Sequence, residues 1–136
     1  MKILTFIIFL LFNTNCFAIE NTNLTKGKKF YQEGKYNESK YELEKSIVFG
    51  PKNLESYLYL SKVFDKLKNI NEQEKNLKTV LLLDPKNEEA LILIISLYIK
   101  KGDFKEAEQK YDFLRKTCIK CEELKEGTFP TFKNNV

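Results

Sequence analysis

From Tyr36 to Leu114 the apolar positions recur at intervals of three, four and seven, interrupted at regular points by glycine, asparagine or proline. Tyr57, Leu60 and Phe64 form one such set, and Leu91, Ile94, Ile95 and Tyr98 another. Three more are Tyr36 with Leu43; Ile70, Leu77 and Val80; and Phe104, Ala107, Tyr111 and Leu114. These spacings put each set on one face of a helix, and no strand pattern is visible. Short turns separate the sets at Gly34-Lys35-Tyr36, Lys68-Asn69-Ile70 and Gly102-Asp103-Phe104. Glycine suits the residue past a helix end because positive φ costs it little, and in the middle turn Asn69 is expected to supply that conformation. Asn53, Asn71, Asn87 and Asp103 stand where helix N-caps are wanted, and Glu88 and Glu89 add acidic charge to a first turn.

The tripeptide "PKN" at 51–53 returns at 85–87, a spacing of 34 residues. Segments 20–53, 54–87 and 88–121 align on that period without a gap. Proline cannot continue the second helix of a pair, and the asparagine two residues later caps the next one. Each unit is a helix–turn–helix too small to bury its own apolar faces, so stacking against a neighbour must supply the core. The stretches "GKKFYQEGKYNESKYELEKSIVFGPKN" and "LYIKKGDFKEAEQKYDFL" resemble tetratricopeptide repeats (TPRs), and the resemblance extends over roughly 20–121. The first copy matches at Gly27, Phe30, Gly34, Tyr36, Ser39, Leu43, Ser46 and Pro51. The third matches at Tyr98, Gly102, Phe104, Ala107, Tyr111 and Leu114. Departures are Asn23 and Lys26, in place of an aromatic and a leucine, Gln73 in a slot that is usually small, and Ile119 in place of proline. The implied fold is all-α, an α-solenoid of three stacked helix-turn-helix repeats with a short C-terminal cap.

The resemblance further implies that the first helix of each pair lines the concave surface of a right-handed superhelix. Counting along those helices gives as groove candidates Leu24, Lys28 and Tyr31, then Leu58, Lys62 and Lys66, then Ile92, Ser96, Ile99 and Lys100. An apolar floor with scattered lysines suits an extended or helical peptide carrying apolar anchors and acidic side chains. Relatives that grip the acidic C-terminal tail of cytosolic chaperones use a clamp of Lys, Asn and Arg. The corresponding slots here hold Leu24, Lys28, Tyr59, Glu89 and Leu93. Only Lys28 offers a suitable charge, and Glu89 would repel a carboxylate, so that reading fails.

The N-terminus is a different object. Lys2 precedes an apolar run from Ile3 to Phe12, a polar stretch, and then Cys16-Phe17-Ala18. This pattern suits a signal peptide over 1–18 with cleavage after Ala18. The run is about half of the roughly 20 apolar residues that span a bilayer. Lipid attachment at Cys16 is the rival, and the polar Asn13-Thr14-Asn15 before it argues against that. Removing 1–18 takes away one lysine and no acid, leaving 22 basic and 19 acidic side chains. So balanced a charge argues against nucleic acid and anionic membranes as partners. The expected location is outside the cytoplasm, in a bacterial periplasm. Asn23-Leu24-Thr25 and Asn37-Glu38-Ser39 match glycosylation acceptors, but both fall in or beside packed helices and are read as coincidence.

Residues 19–127 would then be the repeat domain and 128–136 an irregular tail. Near the third proline slot, "RKTCIKCEEL" supports two structures. The last helix can run on to Gly127, or it can break near 117–120 before a short capping helix. Arg115 and Lys116, placed as a last turn prefers, and Glu122 and Glu123, placed as a first turn prefers, favour the break. After export Cys118 and Cys121 are the two remaining cysteines, and an oxidising compartment favours a disulfide between them. Its loop is short, so it should add less than the ~3 kcal/mol estimated for fifteen residues. A redox role would want a thiolate at a helix N-terminus, usually on a βαβ scaffold. Haem attachment would want histidine where Glu122 stands.

With no histidine, no phosphate-cradling loop and no metal-ligand cluster, an enzyme has no support, and no cofactor, metal or small-molecule substrate is expected. The reading is a protein–protein interaction module or scaffold of the bacterial envelope. A self-associating structural subunit and a thiol–disulfide redox protein are the alternatives. Thiol titration of the chain lacking residues 1–18 should find no reactive thiol before reductant is added. Two thiols titrating without reductant would contradict the Cys118–Cys121 pair.

Overall fold

A computed structural model describes residues 22–118. The expected signal peptide, C-terminal cap and tail, and Cys121 with them, lie outside the described residues. Within them the chain is all-α: α1 over 22–32, α2 Tyr36–Phe49, α3 Leu54–Lys66, α4 Ile70–Leu83, α5 Glu88–Lys101 and α6 Phe104–Thr117. The starts of α2, α4 and α6 repeat every 34 residues, and so do their ends.

The turns repeat down to single hydrogen bonds. Lys35 N–H donates to Phe30 O at 2.9 Å and Gly34 N–H to Tyr31 O at 3.1 Å. The same two bonds join Asn69 to Phe64 (2.9 Å) and Lys68 to Asp65 (3.2 Å), then Asp103 to Tyr98 (2.9 Å) and Gly102 to Ile99 (3.1 Å). This is the Schellman ending, which satisfies orphan carbonyls and requires one left-handed residue. That residue is Gly34 (φ 75°), Lys68 (φ 59°) and Gly102 (φ 79°). The expected role of Asn69 is therefore corrected: Lys68 takes the left-handed position. Asn69 is the N-cap of α4, its Oδ1 accepting from Glu72 N at 3.2 Å. Asn71 is no cap, because α4 has begun at Ile70.

The proline turns are equally matched. Gly50 N–H bonds Ser46 O and Asn53 N–H bonds Gly50 O; Asp84 to Val80 and Asn87 to Asp84 repeat them. Asn53 Oδ1 then accepts from Ser56 N (3.1 Å), and Asn87 Oδ1 from Ala90 N (3.0 Å). Asp103 differs from its expectation: its carboxylate makes no cap bond and reaches Lys101 Nζ instead, at 3.1 Å. Without proline at 119, α6 still stops in register, with Cys118 extended at φ −78°, ψ 122°. Cys118 N–H bonds Leu114 O, and Thr117 Oγ1 donates to Phe113 O at 2.9 Å, so last-turn carbonyls are satisfied locally.

The described residues divide into two compact units, one up to Asn76 and the other from Leu77, with the boundary inside α4. In the first unit Leu24, Leu43, Leu60, Val63 and Phe64 form the buried cluster, joined by Tyr31, Tyr36, Ile47, Tyr59 and Leu67. Gly27 sets how closely α1 approaches α2, since a Cβ there would lie 2.6 Å from Leu43 Cγ. Ser39 Oγ donates to Gly27 O at 2.8 Å across the same approach, and buried Ser46 and Ser56 share a 2.8 Å hydroxyl bond between α2 and α3. Asn23 occupies the slot where the repeat favours an aromatic. It is 6% exposed, and its Nδ2 finds no hydrogen-bond partner among the described residues, a cost of about 1–3 kcal/mol. In the second unit α5 packs on α6, and Ala90, Leu91, Ile94, Ile95, Leu97, Ala107 and Leu114 are all but fully buried.

Substitutions at 68 and 69 separate the two turn roles. Lys68→Gly should raise stability by about 0.5–1 kcal/mol, the left-handed strain relieved less the entropy of glycine. Asn69→Ala should lower it by about 1 kcal/mol. Urea denaturation reads both, and a loss of stability for Lys68→Gly would return the left-handed position to Asn69.

Candidate partner-binding face

In the first unit α1 and α3 bring their tyrosines and lysines together. Tyr59 projects from α3, and Tyr31 from α1 meets it edge-on, with ring centroids 5.8 Å apart and planes at 89°. Tyr36, at the start of α2, lies 5.9 Å from Tyr31. Edge-to-face contacts of this kind fix ring orientation and add about 0.5–1.5 kcal/mol beyond the area they bury.

Two ammonium groups approach the ring of Tyr59. Lys62, one turn further along α3, sets Nζ 4.5 Å from the centroid, and Lys28 of α1 sets its own at 5.2 Å. Each is a cation on the electron-rich face of a ring, worth about 0.5–1 kcal/mol where solvent reaches it. Lys28 is also ion-paired with Glu55, from the first turn of α3. With side chains 29% and 48% exposed, that pair adds little to stability, and its effect is to fix where Lys28 points. The arrangement presents cationic and aromatic surface side by side. It offers a flat apolar side chain a place to stack, while an anionic one must compete with Glu55 for Lys28.

The expected groove residues divide between surface and core. Leu24 is 8% exposed and Leu58 6%, so both are corrected from groove floor to core; Leu24 belongs to the buried cluster of the first unit. Counting around a helix gives the direction of a side chain but not what lies over it. Tyr31 and Lys62 are half-buried beside Tyr59, Lys28 completes that cluster, and Lys66 is exposed. On α5, in the second unit, Ile92, Ser96 and Ile99 are half-buried and Lys100 is exposed. Glu55 was missed: its link to Lys28 joins two helices, and nothing in the local spacing announces it.

Among the described residues no group of three or more Cys, Asp and Glu side chains converges as a metal site would require, and no helix is long and apolar enough to cross a membrane. At the mouth of the first turn Glu33 and Lys35 pair at 2.7 Å. Their hydrogen bond holds the carboxyl below its ordinary pKa and the ammonium above its own.

No protein-family model matches the sequence, and no curated protein does. Solved structures match clearly in fold. The Yersinia enterocolitica type III secretion translocator chaperone SycD, in an alternative dimer, superposes with a TM-score of 0.70 at 17% identity, covering 79% of this chain and 81% of that one. The TPR2B domain of yeast Sti1, in a complex with pHsp70, gives 0.69 at 16% identity, covering 74% and 80%. The second TPR domain of human RPAP3, in complex with the HSP70 peptide SGPTIEEVD, gives 0.67 at 20% identity, covering 73% and 82%. The chain therefore has the tetratricopeptide-repeat fold, an all-α solenoid class, and at these identities the likeness shows the fold alone.

Truncation distinguishes the core assignment from the groove assignment. Leu58→Ala should lower unfolding free energy by about 2–5 kcal/mol, as a buried leucine does. A loss within about 0.5 kcal/mol, typical of a surface position, would return Leu58 to the groove.

Proposed function

We propose that the chain is a non-enzymatic protein-interaction module that holds an extended or helical segment of a partner polypeptide on the first helices of its repeats. The observation that carries this is the placement of Lys28 and Lys62 about the ring of Tyr59, with Tyr31 alongside. Such a surface suits a segment with carboxylates interspersed among apolar or aromatic anchors, and in the second unit Ile92, Ser96, Ile99 and Lys100 of α5 are separate candidate contact positions. The peptide complexes of the Sti1 and RPAP3 domains support a binding role for the fold. They do not carry over their chaperone-tail ligands, because Leu24 and Leu93 stand in two clamp slots, and Lys28 is already paired with Glu55.

The proposal places the module in a bacterial envelope, exported by residues 1–18 into the periplasm, with lipid attachment through Cys16 as the alternative. The support is the charged start, short apolar run and Ala18 of the N-terminus. Pairing of Cys118 with Cys121 belongs to the same reading, supported by their being the two cysteines left after export. The absence of histidine from the sequence speaks against acid–base catalysis.

Photocrosslinkers placed at Tyr31 and Lys62 in exporting cells, read by mass spectrometry, test the binding face of the first unit. A shared partner segment rich in acidic and apolar residues should be captured from both positions. Capture from Tyr31 should fall about tenfold when Lys62 is changed to Glu, the equivalent of one lost charge contact. Capture unchanged by Lys62→Glu would contradict the proposal.

A further inference from the structure

Glu55, Tyr59 and Lys62 follow one another at intervals of four and three along α3, so they share one stripe of that helix. Lys28 reaches this stripe from α1 and meets two partners there. Its ammonium pairs with the Glu55 carboxylate and stands 5.2 Å from the centroid of the Tyr59 ring. An exposed ion pair is ordinary and contributes little to stability. This one is set apart by its place, because the carboxylate sits on a cation that belongs to the proposed binding face.

The chain thus brings its own carboxylate to a position where a ligand's would bind. A second carboxylate at Lys28 meets the negative charge of Glu55, and like charges set side by side oppose its entry. An aromatic side chain meets no such opposition. A ring face attracts a cation through its quadrupole, and an ammonium with three N–H donors can serve one carboxylate and still turn a side to a ring. Tyr31, edge-on to Tyr59 with ring centroids 5.8 Å apart, adds flat surface for the same group. Acidic residues of a bound segment are then tolerated beside the aromatic anchor and turned away at Lys28.

We infer, on the reading of α1 and α3 as a binding face, that Glu55 is the specificity-determining residue of the first unit. By holding Lys28 it selects partner segments that present an aromatic side chain to Tyr59 and rejects those that present a carboxylate there. Specificity is a difference between two affinities, and Glu55 creates that difference by repelling the wrong side chain.

A random peptide library displayed on phage and selected against the purified chain supplies the probes. Selected peptides should be enriched in Phe, Tyr or Trp, and their binding should weaken when Lys62 is changed to Glu. One of them is then compared, by calorimetry, with a copy in which its aromatic residue is replaced by glutamate. The native chain should favour the aromatic peptide about tenfold or more. Glu55→Gln keeps the shape and removes the charge, and it should cut that preference about tenfold by strengthening binding of the glutamate copy. Glu44→Gln removes the same charge from an exposed position on α2 and should leave the preference unchanged. Both peptides are read on the same protein, so a change in its stability cancels from the ratio. A preference that Glu55→Gln leaves intact, or that Glu44→Gln shifts equally, would overturn the role of Glu55 while the binding face stands. Native selection of acidic peptides without aromatic residues would overturn it as well. If no selected peptide depends on Lys62, the binding face itself fails, and the role of Glu55 with it.

Discussion

Close approach of helix backbones is the constraint from which the first unit follows. Two helices can share an apolar interior only if some contact positions lack bulk, and Gly27 supplies that between α1 and α2. Leu43 fills the space a side chain at 27 would need and is itself fully buried. Serine does the same elsewhere with a polar tip: Ser39 and Ser46 are buried, and each uses its hydroxyl to join helices rather than leave it unsatisfied. The hydrophobic term supplies most of the driving force, while these small residues determine the separation at which it is realised.

Packing at that separation places α1 and α3 so that Tyr31 reaches Tyr59 and Lys28 reaches Glu55. The polar and aromatic surface proposed for partner binding is thus a product of the core beneath it. Leu24, in α1, is buried in that core one turn before Lys28. Glu55 also shows how such a surface limits its ligands, because an incoming carboxylate must compete with one already in place.

Most of the fold was legible in the sequence because its determinants are local. A helix end that needs a left-handed residue recruits Gly34 and Gly102, and a proline turn followed by an Asn cap recurs at Asn53 and Asn87. Asn53 and Asn87 lie one 34-residue period apart, and Gly34 and Gly102 two. Lys68 and Asn69 escaped the reading because two roles competed for one asparagine. Where the last turn of α3 ends fixes which residue is left-handed, and that end lies one residue earlier than a search for asparagine suggests. Leu24 and Leu58 escaped for a different reason. Their direction around the helix was countable, but burial depends on what the rest of the chain lays over them. The Lys28–Glu55 pair was the least legible, since it exists only after α1 and α3 have met.

A double-mutant cycle between Gly27 and Leu43 reads the central constraint most directly. In an exposed helix, glycine to alanine gains up to about 1 kcal/mol of helix propensity. Here the added methyl should meet Leu43 and cancel or outweigh that gain, as overpacking of about 1–3 kcal/mol does. With Leu43→Ala already in place the clash is gone, and Gly27→Ala should become stabilising. A coupling energy of about 1 kcal/mol or more by denaturant titration is the predicted result. Additivity within about 0.5 kcal/mol would mean that the two residues do not share the space, and that something else sets the distance between α1 and α2.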